Sequence, residues 1–215
     1  MANQASVAAP GRTKVIHPLA VRITHWINAI AIIIMVLSGW RVYDASPIFN
    51  FEFPPAITLG GWLAGALQWH FAAMWLLVLN GLFYLCYGFI SGHFKLSFLP
   101  LTWQSLRQEF KSALGGKISH ELGVYNAVQR AAYIGVICMG VVLVLSGLSI
   151  WKPVQFQELA AVMGGYEGAR ILHFFAMALV VFFIFVHLTL VVLVPKTFWP
   201  MISGRAEAHG KRTPK

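Results

Sequence analysis

Four histidines of this chain lie inside long apolar stretches: His25, His70, His173 and His187. An imidazole is at once a base near neutral pH, a hydrogen-bonding group and a metal ligand. Ionisable side chains in an apolar medium are costly and mark functional sites. The spacing is informative. His173 and His187 are 14 residues apart, close to four whole helical turns, so both leave one face of a helix about 21 Å apart along its axis. The other four histidines (His17, His93, His120 and His209) fall in polar segments outside those stretches.

Four apolar stretches are long enough to cross a bilayer, which takes about 20 helical residues: about 21–40, 69–90, 131–151 and 171–194. Of the 215 residues, 58% are hydrophobic and 11% charged; soluble domains carry about 25% charge. That excludes an ordinary soluble globule, a disordered tail and a fibrous protein. The length suits one compact helical membrane unit spanning residues 1–215, without a second soluble domain. No small-residue cleavage site follows a short apolar core, so the first span reads as retained.

Lys and Arg give the direction. Thirteen lie in the tail up to Arg22, the 91–130 connection and the tail after 194, against three (Arg41, Lys152 and Arg170) in the other two connections. This asymmetry places tails 1–20 and 195–215 in the cytoplasm. Trp26, Trp103 and Trp199 suit an inner interfacial belt, and Trp40, Trp69 and Trp151 an outer one. The net charge of +9 is thereby accounted for at the span ends, not by a nucleic-acid face. Cys86 and Cys138 lie within spans, with no CxxC or haem-attachment motif, and read as small hydrophobes. Thr102–Leu114 has helical apolar spacing and reads as an amphipathic helix on the inner surface. Val154–Met163, closed by Gly164-Gly165, reads as a short outer helix. No internal repeat is evident.

With this topology, His25 on span one lies at the depth of His187 on span four, near the inner face. His70 on span two lies at the depth of His173, near the outer face. Two imidazole pairs stacked in an apolar bundle suit two haems, each iron taking one axial imidazole on each side. With both axial positions filled, such an iron can change only its oxidation state. Arg22 and Arg170, three residues before His25 and His173, suit haem propionates, and equally suit simple boundary charges. Gly39 would let a macrocycle approach the backbone at the outer depth; Gly81, Gly140 and Gly147 are candidates for the same role or for helix packing. Two distant imidazole pairs do not make a zinc site. The competing class is a proton-coupled transporter or channel with a histidine relay. An enzyme acting alone lacks support, for no nucleophile–base set is present.

Arg-Ile-Thr-His-Trp (22–26), Ser-Gly-Trp (38–40), Gly-Val-Tyr-Asn-Ala-Val-Gln-Arg (123–130) and Gly-Ala-Arg-Ile-Leu-His (168–173) resemble the prokaryotic cytochrome b561 superfamily. Its relatives include membrane subunits of formate dehydrogenase, nickel–iron hydrogenase and thiosulfate reductase, the last being the most similar. The resemblance spans about Ile16 to Arg205. It implies an all-α integral membrane protein, a four-helix bundle with two haems b. His25 and His187 would hold the cytoplasmic-side haem and His70 and His173 the periplasmic-side one. It also implies a quinone site at Asn126 and Gln129, where Val128 and Arg130 depart from the related Tyr-Asn-Ala-Gly-Gln-Lys segment. Asn126 reads equally as the N-cap of span three. The expected role is an electron-transfer subunit of the bacterial inner membrane, not itself an enzyme, joining membrane quinone to a periplasmic molybdopterin-containing redox protein. His120 and Glu121 are candidates for passing protons beside the quinone.

Overall fold

A computed structural model describes residues 13–114 and 126–207. The described chain is helical apart from a small ribbon: strand β1 (Thr13–Val15) pairs antiparallel with β2 (Arg205–Glu207), Thr13 opposite Glu207. Four long helices are apolar enough to span a membrane: α1 (Leu19–Asp44), α2 (Leu63–Ile90), α5 (Ala127–Trp151) and α7 (Gly165–Leu193). Between them lie α3 (His93–Phe98), α4 (Trp103–Leu114) and α6 (Gln157–Val162); α8 (Phe198–Ser203) follows. The expected surface helices at 102–114 and 154–163 correspond to α4 and α6.

The long helices outrun the apolar stretches. At about 1.5 Å per residue they reach roughly 38–44 Å, against about 30 Å of hydrocarbon. α2 begins at Leu63 rather than near 69, and α7 at Gly165 rather than near 171. Hydropathy marks the part that must sit in hydrocarbon, whereas a helix continues until a local signal stops it. Those signals are extended Trp62 before α2, Gly164 at φ 85° before α7, and Asn126 before α5. Asn126 Oδ1 accepts from Gln129 N at 2.8 Å and Gln129 Oε1 accepts from Asn126 N at 3.1 Å, a reciprocal capping box. Glu109 of α4 adds a carboxylate to the same end, accepting from Ala127 N and Val128 N.

The bundle is lined with small residues. Leu79, Phe182, Phe185 and Val192 are exposed, as suits helices whose solvent is lipid. Ala31, Ala66, Ala73, Ala169 and Ala176 are buried, and the largest fully buried side chains are Ser38, Ser146 and Ser149. Lipid is as apolar as the core, so helices associate through close backbone approach and polar clamps. One clamp is Asn80 of α2, donating to Thr24 O at 2.8 Å and Asn28 Oδ1 at 2.7 Å on α1.

Close backbone packing runs within two hairpins, α1 along α2 and α5 along α7, and is sparse between the hairpins' long helices. The hairpins repeat each other, an internal repeat not evident from the sequence alone. Leu37-Ser38-Gly39 on α1 corresponds to Leu145-Ser146-Gly147 on α5, and His70-Phe71 on α2 to His173-Phe174 on α7. The buried alanines match in the same register: Ala66 with Ala169, and Ala73 with Ala176. Lipid-facing positions need only be apolar, which hides the repeat.

The ends of the described chain meet on one face. Ile16 N and His17 N donate to Gly204 O, Arg22 Nη1 donates to Ile202 O, and Trp26 Nε1 donates to Met201 O. On the opposite face the Tyr43 hydroxyl both donates to Phe49 O and accepts from Phe49 N. Tyr43, Phe49 and Phe51 pack on Phe174, next to His173.

Candidate functional site

At the depth nearer the chain ends, His25 of α1 meets His187 of α7 across the gap between hairpins. Their ring centroids are 6.1 Å apart and the planes are tilted by 59°. An imidazole nitrogen binds a first-row metal at about 2 Å and lies about 1.1 Å from its ring centre, so two imidazoles on opposite sides of one metal have centroids about 6.2 Å apart. The observed separation matches that requirement. His25 stands edge-on to Trp26 at 5.2 Å, and His187 stacks on Phe183 at 5.9 Å. His25 Nδ1 is buried with no hydrogen-bond partner among the described residues.

At the other depth stand His70 of α2 and His173 of α7, each beside a serine of its own hairpin. Ser38 Oγ is 3.1 Å from His70 Nδ1, and Ser146 Oγ is 2.9 Å from His173 Nδ1. Each serine also bonds back to its own helix, Ser38 to Ile34 O at 2.6 Å and Ser146 to Val142 O at 2.7 Å. A hydroxyl has one proton. Spent on the carbonyl, it leaves Oγ only accepting capacity toward the ring, so Nδ1 carries the ring proton. That tautomer leaves Nε2 as a bare lone pair, the form that binds a metal. A Cβ added at Gly39 would stand 3.3 Å from His70 Cε1, and one at Gly147 would stand 3.4 Å from His173 Cε1. By contrast, nothing stands within 4 Å of an added Cβ at Gly81 or Gly140.

These observations fit a macrocycle held between imidazoles: a facing pair at metal-bridging separation, a second pair each with a serine at Nδ1, sparse backbone between the hairpins, and no large side chain fully buried among the described residues. The other expected site residues are placed as follows. Arg22 lies at the chain-end face with its Nε buried and unpartnered among the described residues. Arg170 bonds Glu167 at 3.1 Å and the Ser46 carbonyl, tying α7 to the connection after α1. Asn126 and Gln129 spend their amide oxygens on the cap, which leaves the amide nitrogens as the groups able to donate to a carbonyl. His120 and Glu121 lie outside the described residues. His17, near His93 and Arg22, is held below the ordinary imidazole range, chiefly by burial and then by those two neighbours. Burial likewise lowers His93.

Ser146 and Asn80 escaped the sequence reading, and Ser38 entered it only as part of the Ser-Gly-Trp motif, with no role assigned. The available signal was a serine before glycine at the same place in spans one and three, and an amide alone in span two.

The four apolar helices define a multi-pass membrane protein, with His25 and His187 meeting inside it. The family model for prokaryotic cytochrome b561 matches residues 16–204. A relative from Azospira oryzae, described as a candidate protein-methionine-sulfoxide reductase subunit, YedZ1, is 53% identical over 190 residues, covering 88% of this chain and 96% of its own length. The chain belongs to the prokaryotic cytochrome b561 family, which implies haem b as its cofactor.

Proposed function

We propose that this protein is a di-haem b electron-transfer subunit of the bacterial inner membrane. It links membrane quinone to a periplasmic redox partner, a molybdopterin-containing oxidoreductase. The 6.1 Å meeting of His25 and His187 across two separately packed hairpins carries the reading. Packing alone gives no reason for two costly ionisable side chains to face one another in an apolar bundle, whereas a shared metal does. Haem b bound between such couples supplies one-electron reduction and oxidation without an open coordination position.

The chain's own residues do the rest. His25 and His187 hold one group near the face that carries the termini, and His70 and His173 hold another near the opposite face. Because α7 supplies one ligand to each couple, a single rigid helix sets their spacing. Asn126 and Gln129 present amide donors at the N-terminus of α5, the place for a quinone carbonyl. The charge asymmetry puts that end in the cytoplasm and the Tyr43–Phe174 aromatic surface toward the periplasm. The A. oryzae relative supports a catalytic protein-methionine-sulfoxide reductase as the partner there.

Purified protein tests this. A reduced-minus-oxidised spectrum with b-type bands and two haems per chain supports the reading. A colourless protein overturns it in favour of a histidine relay for protons. Reduction of the haems by quinol analogues, and reoxidation by a co-purifying periplasmic protein, test the two ends separately.

A further inference from the structure

We infer that Ser38 and Ser146 are positioning residues for one of the two groups, setting the hydrogen-bonding state of His70 and His173 and through it the reduction potential. The inference rests on the reading that these two histidines share one iron.

The same device occurs twice, once per hairpin. In each, a serine on the first helix gives its proton to a carbonyl one turn back, at 2.6 Å for Ser38 and 2.7 Å for Ser146. Each Oγ then lies 3.1 and 2.9 Å from the ring Nδ1 of a histidine on the second helix, placed to accept a proton from it. Each serine is followed by a glycine whose missing Cβ leaves room for the same ring's Cε1. Both serines are 0% exposed, so neither hydrogen bond competes with water or lipid headgroups. Two copies kept in one register, where the lipid-facing positions around them have diverged, make an accident of side-chain placement a poor explanation.

The other couple lacks this support. No serine hydrogen-bonds to His25 or His187 among the described residues, and His25 Nδ1 has no hydrogen-bond partner there. In the repeat register, His25 corresponds to Tyr133 and His187 to Tyr84. The couple near the chain ends is therefore built from unmatched positions, while the far couple is built from matched ones. The two depths present chemically different ligands to identical cofactors.

The sign follows from the donor chemistry. An Nδ1–H that donates to a hydroxyl leaves the ring richer in electrons, so Nε2 becomes a stronger donor and favours the oxidised iron. Loss of the hydroxyl weakens that donation and favours the reduced iron.

The test is redox titration of the intact holoprotein, resolving the two haem potentials, for Ser38→Ala, Ser146→Ala and the double variant. Ser149→Ala is the control, because Ser149 is also 0% exposed on α5 but bonds Leu145 O rather than a histidine. Single variants His70→Ala, His173→Ala and His25→Ala assign the potentials to depths. The expected result is a positive shift of the haem lost in His70→Ala, larger in the double variant, with the other haem unmoved and Ser149→Ala unchanged. Retention of that haem against an excess of a haem-accepting apoprotein should weaken by about 10-fold or more. Unchanged potentials, a shift in the haem lost in His25→Ala, an equal shift in Ser149→Ala, or loss of both haems overturns the inference. Should His70→Ala and His173→Ala remove different haems, the pairing itself fails, which the titration of the serine variants distinguishes from failure of their role.

Discussion

Replacing Gly39 by valine should remove one haem while leaving the helix intact. A Cβ at this position would stand 3.3 Å from His70 Cε1 and 3.6 Å from His70 Nδ1. An alanine methyl needs the ring to give by a few tenths of an ångström. A valine methyl reaches about 1.5 Å further, so the ring must swing away by about 1 Å or more. That opens the Ser38–His70 contact from 3.1 Å to beyond about 3.5 Å, where it no longer counts as a hydrogen bond. The bond is worth about 1 kcal/mol, and misplacing the ligand costs about 10–100-fold in metal affinity. Against this, valine has a higher helix propensity than glycine by a few tenths of a kcal/mol. The helix therefore gains slightly and the cofactor site loses heavily. Leu79→Val is the control, since Leu79 lies exposed on the lipid-facing side of α2. The assay is haem per chain from the pyridine haemochrome, on monodisperse detergent-solubilised protein. Gly39→Val should fall from two haems to one, with the control at two. Two tightly held haems with unshifted spectra in Gly39→Val would refute the reasoning, as would equal loss in Leu79→Val.

His25→Ala and His70→Ala should each remove one haem, and a different one, because the couples are at separate depths; the difference spectrum reads this, and loss of both or neither breaks the pairing. Asn126→Ala removes half of the capping box on α5 and should cost about 1 kcal/mol, seen as a lower thermal midpoint. The same variant should slow haem reduction by quinol but not by dithionite if its amide meets the quinone; equal rates with quinol would leave Asn126 a cap only. His17 is held below the ordinary value of 6.5 in the folded protein, so the unfolded chain binds the extra proton more readily. Stability should then fall as pH drops below about 6.5, and His17→Gln should flatten that fall in thermal midpoints taken at about pH 5 and about pH 8. An unchanged slope would sink this assignment.

Much of the site was legible because a membrane simplifies the inference. An apolar stretch of about 20 residues has to be a helix, since its backbone can find partners only within itself. Four such stretches and the placement of Lys and Arg then predict which histidines share a depth, and the 14-residue spacing on α7 predicts that its two histidines share a face. The meeting of His25 with His187 follows from those constraints, and the structure brings the two rings together. Arg170 was less legible: its distance from His173 along the helix is fixed, but its guanidinium is spent on Glu167 and Ser46, contacts that depend on where the connection after α1 folds back.

Sequence alone determined the number of spans, and with the placement of Lys and Arg it predicted which histidines share a depth, because both rest on composition and periodicity along each helix. Tertiary structure decided what depends on contacts between helices. It set which serine stands at which ring nitrogen, which glycines face a ring, and that α1–α2 and α5–α7 repeat one arrangement. Those features turn on a few small or polar residues whose neighbours come from another part of the chain, and their local sequence does not name those neighbours.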